Sequence, residues 1–220
     1  MKQIIFISLL FVYMSGFSQS DTISNKYIKY TPKFKFADGI YLNINQFKNN
    51  NPISKSRIVT NLDSEDFDFF DRLLENEKIT LYDKLGNQKE VEVRNIWGYS
   101  NKGIVHVNFN GEFNRIPVVG KICHFVSVYT YIDHSQPDMS YNNTAYYNNG
   151  VRRTELRQYL LDTETGKVYD FTVKAVEVLL MNDTKLYDEF NNLRRRKKRK
   201  LKFLYIRKYN TNNPLLIKTN

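Results

Sequence analysis

Few side chains in this 220-residue chain can make or break bonds: one cysteine, Cys123, and three histidines, His106, His124 and His134. A thiolate beside an imidazole is the simplest nucleophile and base pair for acyl transfer. Cys123 and His124 are neighbours in sequence, and on a strand adjacent side chains face opposite ways, so this pair forms neither a dyad nor a shared metal site. The remaining bases for Cys123 are His106 and His134, and no glycine-rich or oxyanion-loop pattern accompanies the cysteine. A second candidate is a loop carboxylate-histidine site built from Asp133, His134 and Asp138. Asp63, Glu65, Asp66 and Asp68 form an acidic cluster, but their spacing matches no calcium loop and suits the first turn of a helix. There is no phosphate loop, zinc spacing or Gly-x-Ser-x-Gly turn, so the sequence assigns no catalytic residue, no metal and no cofactor.

Two other stretches carry binding chemistry. Arg194, Arg195, Arg196, Lys197, Lys198, Arg199 and Lys200 are seven cations in succession. A helix spreads consecutive residues around its axis, so the seven cannot share one face, and some must point toward the protein. The outward ones suit an anionic lipid surface, an acidic glycan or an acidic protein. The second stretch is YIDHSQPDMSYNNTAYYNNGV, a long loop without apolar periodicity. There Tyr141, Tyr146 and Tyr147 sit among asparagines, a composition used for contacts by ring stacking and amide hydrogen bonds.

The elements that must position these groups are β-rich. From Val91 to Tyr131, β-branched and aromatic residues alternate with polar ones between turn signals at GYSNKG, Asn110-Gly111 and Gly120, the pattern of an antiparallel meander. Within it Val105, Val107 and Phe109 share a dry face opposite Ile104, His106 and Asn108. Further hairpins are expected for Lys78 to Tyr82 with Gln88 to Arg94, and for Arg152 to Leu161 with Lys167 to Phe171. Ahead of these, Asn43 is placed to cap a short helix that buries Phe47 and stops at Asn51-Pro52. Ser64 is placed to cap a helix over residues 64–75. After Thr172 the period becomes helical, breaks at Asn182-Asp183, and resumes behind a cap at Asp183 or Thr184. Trp97, beside a turn, reads as a lid on the core.

Residues 1–20 have the order of an export leader: a basic start at Lys2, an apolar run from Ile4 to Met14, then Ser15, Gly16, Ser18 and Ser20. The run is too short to span a membrane, which needs about 20 residues. Cleavage after Ser18 or Ser20 would remove Lys2 and lower the net charge from +10 to +9. With one cysteine no intrachain disulfide forms, and the 16 Tyr and 15 Phe supply the buried area instead. The expected plan is an α+β domain of antiparallel hairpins over residues 21–172, with a helical, basic segment at 173–220 packed on it. Short strands and a basic helical end argue against a membrane-spanning barrel.

The stretches DGIYLNINQFKNNNPI, FNRIPVVGKICHF and YNTNNPL resemble a group of small exported proteins of Bacteroidota-type bacteria whose function is unknown. That resemblance implies the cell envelope and supplies no activity or site residue. Export also separates the chain from cytoplasmic nucleic acid. Two readings follow. The first is a non-enzymatic envelope module, periplasmic, outer-membrane-associated or secreted, that binds a protein, glycan or anionic lipid surface through the basic run. The alternative is a small hydrolase-like enzyme using Cys123 or the loop His/Asp site.

Overall fold

The computed structural model describes residues 26–134 and 151–219. Among them, twelve strands in antiparallel sheets and five α-helices give an α+β fold, with the longer helices gathered near the C-terminus.

The N-terminal part builds two sheets that share a core. After β1 (Lys26–Lys29) come β2 (Gly39–Tyr41) and α1 (Ile44–Lys48), whose Asn43 cap accepts a bond from the Gln46 N–H at 3.0 Å. Next are β3 (Ile58–Val59), α2 (Phe69–Leu74), β4 (Lys78–Tyr82) and β5 (Gln88–Glu92). The meander continues through β6 (Gly98–Asn101), β7 (Ile104–Phe109) and β8 (Glu112–Arg115), which join β2 in a four-stranded sheet of order β2-β6-β7-β8. GYSN is therefore a strand, and the turn narrows to Lys102-Gly103, where both residues have positive φ, as at Asn110-Gly111. Such two-residue turns match the right-handed twist of the strands they join. β3, β4 and β5 form a separate three-stranded sheet.

The helix expected over residues 64–75 starts later. Asp63 turns the chain by accepting from the Glu65 N–H at 2.9 Å, and Asp66 meets Arg72 at 3.3 Å, so regular helix begins only at Phe69 with Asp68 as its N-cap. An acid that bonds its own backbone two residues on competes with helix, which is why Ser64 is not the cap.

β9 (Ile122–Asp133) leaves the meander and pairs along its whole length with β10 (Val151–Asp162); β11 (Val168–Asp170) joins only the far end of β10. Alternation gives the base of this long hairpin two buried faces. Cys123, Phe125, Tyr159 and Leu161 meet Tyr41, Phe47, Val105 and Val107 of the four-stranded sheet and helix α1 in one core. Ile122 and Leu160 face the other way, into a second core made with the C-terminal helices. A third core fills the space between the four-stranded sheet, α2 and the three-stranded sheet, around Ile40, Phe70, Leu81 and Tyr99. Trp97 stacks on Phe47 at 4.9 Å between ring centroids and closes the aromatic cluster.

The helices are α3 (Val173–Leu180), α4 (Thr184–Asn191) and α5 (Arg195–Asn212). Thr172 and Asp183 cap the first two, accepting from the Ala175 and Leu186 N–H groups at 3.1 Å each. The chain then returns to strand: β12 (Leu216–Thr219) pairs with β1, and Leu215 and Ile217 enter the first core, tying the end of the chain to its beginning.

Candidate anion-binding surface

The cationic run forms the first two turns of α5, and α5 is held in place by its other end. Asn210 donates to the Ile122 carbonyl at 2.8 Å and accepts from the Ile122 N–H at 2.9 Å, pairing with the start of β9 as a neighbouring strand would. Gly120 lets that amide approach, because a Cβ there would lie 2.4 Å from Asn210 Cγ. Asn212 and Asn213 donate to the free oxygen of the Asp183 cap at 3.2 and 3.1 Å, locking the end of α5 to the start of α4. Tyr205, Ile206 and Tyr209 are buried, with Tyr205 against the Phe190 ring.

Toward its N-terminus α5 emerges from this packing. Phe203 meets His124 edge-on at 5.2 Å, while Asn210 meets Ile122, so α5 and β9 run in opposite directions and the cationic end of α5 lies on the side toward which β9 extends. Lys198 turns inward, as the helical geometry requires of some member of the run. It pairs with Glu177 at 2.7 Å and donates to Asn191 at 3.0 Å. Further along, Lys202 donates to the Phe171 carbonyl at 2.5 Å and lies over that ring at 4.0 Å. Burial holds its pKa below the usual lysine value.

Arg194, Arg195, Arg196, Lys197, Arg199 and Lys200 are all exposed, and among the described residues none of them has a carboxylate within ion-pair distance. Arg194 is the N-cap and makes no side-chain capping bond, and the first turn contains no acid. The peptide dipoles of a helix put positive potential at its N-terminus, where cations are unfavourable and anions are held. α5 thus adds six exposed charges to the end that already repels them.

Beyond the helices the β9–β10 hairpin continues as a two-stranded ribbon, and the face that the helices cover at its base is left open. One face carries Val126, Val128, Thr130 and Ile132 opposite Gln158, Leu156, Thr154 and Arg152. It is the same face that α3 to α5 cover at the base, and Leu156 and Ile132 on it are 75% and 60% exposed. The ribbon's acids lie on the other face, where Asp133 pairs with Arg153 at 2.8 Å and Glu155 with Arg157, whose guanidinium also stacks 3.5 Å from the Tyr129 ring centroid. The strands expected to end at Tyr131 and to begin at Arg152 run to Asp133 and from Val151, and they pair with each other, which the sequence did not indicate. The signal for β9 was the alternation of Val126, Val128 and Ile132 with Ser127 and aromatic residues.

The groups considered for catalysis are dispersed. Cys123 is fully buried and donates to the Gly120 carbonyl at 3.3 Å; burial pushes its pKa up to about 12. His124 faces away from it, toward Gln158 Oε1 at 2.9 Å and the rings of Phe171 and Phe203. His106 stacks on Tyr99 in a different core, and Tyr99 donates to Asp71 at 3.1 Å. Burial lowers the pKa of both His106 and His124, so both rings are neutral at pH 7. His134 is exposed at the distal end of the ribbon, while Asp138 and the loop tyrosines Tyr141, Tyr146 and Tyr147 lie outside the described residues. No group of three metal-ligating side chains gathers among the described residues. Nor is any helix among them long and apolar enough to cross a membrane. No family model, curated protein or solved structure matches the chain, and its surface chemistry carries the functional reading.

Proposed function

We propose that this chain is an exported, non-enzymatic binding module of the cell envelope that holds an anionic partner on the cationic end of α5. The observation that carries this reading is the set of six exposed cations over the first two turns of α5, where those of the first turn disfavour the helix and, among the described residues, none has a carboxylate partner. A run whose only role was solubility would cost less stability at the C-terminal end of α5. The leader-like first twenty residues and the excess of 33 Lys and Arg over 23 Asp and Glu support the envelope as its place of action.

The test is retention on immobilised heparin, used as a simple polyanion, of the chain from residue 21 onward, which contains every strand and helix described. The quadruple variant Arg195→Gln, Arg196→Gln, Arg199→Gln, Lys200→Gln should elute at clearly lower salt than the parent, with an unchanged circular dichroism spectrum. Elution of both at the same salt would reject the reading.

A further inference from the structure

We infer that the anionic partner is a lipid surface, and that the distal β9–β10 ribbon docks on it through the face bearing Val126, Val128, Ile132 and Leu156. This inference rests on the anion-binding reading of α5 and extends it to a second element.

The distribution of charge on the ribbon points to the occupant. Its eight distal positions on this face are Val126, Val128, Thr130, Ile132, Arg152, Thr154, Leu156 and Gln158, which include one cation and no carboxylate. Asp133 and Glu155 are both on the opposite face and both tied to arginines. A ribbon shaped only by solubility would scatter acids over both faces. Among the described residues this face is free of negative charge, and α5, whose six exposed cations have no carboxylate partner there, packs on the same face at its base. Apolar side chains beside cations suit the boundary of an anionic bilayer, where apolar groups enter the headgroup layer and cations meet phosphates.

Shape points the same way. Six residues of β9 extend past the buried Ser127, on the order of 20 Å at about 3.4 Å per residue. A two-stranded ribbon is marginal in water on its own. Its apolar stripe is exposed along its length, with Val126 at 39%, Val128 at 41%, Leu156 opposite Val128 at 75%, and Ile132 at 60%. All four lie beyond Ile122 and Leu160, the positions on this face that the helices cover.

The experiment uses the same chain with vesicles of phosphatidylcholine, with and without phosphatidylglycerol. The parent should bind the vesicles that contain phosphatidylglycerol, and the quadruple α5 variant should lose on the order of a thousandfold in affinity. The double variant Ile132→Asn, Leu156→Asn should lose about tenfold and keep its heparin retention, since both positions are solvent-facing and leave the cations in place. As a direct readout, emission from Ile132→Trp should shift to the blue on binding, above a constant background from Trp97, which is packed on Phe47. Parent-like binding by the Asn variant together with an unshifted Ile132→Trp would overturn the ribbon's role and leave the α5 reading standing. Loss of both heparin and vesicle binding in the parent would overturn both. Self-association in sedimentation that disappears in the Asn variant, without vesicle binding, would identify a second copy as the occupant and also overturn the proposal.

Discussion

If the α5 cations are kept against their folding cost, removing them should make the protein more stable. Arg195 and Arg196 occupy the first two helical positions, where the dipole disfavours each charge by about 0.3–1 kcal/mol at low ionic strength. Each also faces a like charge one turn on, Arg195 with Arg199 and Arg196 with Lys200, at about 0.2–0.5 kcal/mol per pair. Replacing both by Gln therefore relieves about 1–3 kcal/mol. For a domain of this size, about 2–4 °C of melting temperature per kcal/mol turns that into a rise of about 2–12 °C. The assay is thermal unfolding followed by circular dichroism, at low salt and at about 1 M salt, where screening over about 3 Å should remove most of the gain. The same variant should bind heparin more weakly, so stability and binding move in opposite directions. A melting temperature that is unchanged or lower at low salt would refute the argument, as would a gain that does not respond to salt.

Other perturbations test the framework that positions α5. Asn210→Ala leaves the Ile122 N–H and carbonyl without their partner, and should cost about 1–3 kcal/mol in urea unfolding. Phe190→Ala empties a fully buried position against Tyr205 and should cost about 3–5 kcal/mol by the same measurement. Cys123 should resist alkylation in the folded chain and react at the rate of unfolding. Its folded pKa of about 12 exceeds the ordinary value of 9.0, so the stability it contributes is complete below pH 9 and is lost as pH rises toward 12. Cys123→Ala should flatten that alkaline decline in a series of urea titrations.

What the sequence made legible was local. Asn43, and Asp183 as one of two choices with Thr184, announced their helices because a side chain that caps a backbone N–H acts within three residues. The alternation of Val105 and Val107 with His106 assigned the faces of β7 correctly, since period 2 holds wherever one face is dry. Pairing between distant segments was not legible. Nothing in residues 122–133 indicates that this strand turns away from the meander toward residues 151–162, or that β1 waits for β12, because such choices are settled by which cores can close together. The candidate site was half visible. Seven successive cations stand out in any count, and helical geometry required one to turn inward; that it is Lys198, beside Glu177, follows only from the packing of α3 on α5. The acid-free face of the ribbon was hidden because it combines alternate residues of two strands separated by the loop between them.

The measurement that tests the central claim most directly compares two ways of removing the same charge. Neutralising Arg195, Arg196, Arg199 and Lys200 on α5 is set against neutralising four exposed lysines elsewhere, Lys33, Lys35, Lys84 and Lys89, with binding to heparin followed as a function of salt. If the anion is held by the end of α5, the first variant loses most of its affinity and flattens the salt dependence, and the second stays close to the parent. Equal losses in the two variants would mean that net charge alone draws the protein to anions, and would contradict a site on α5.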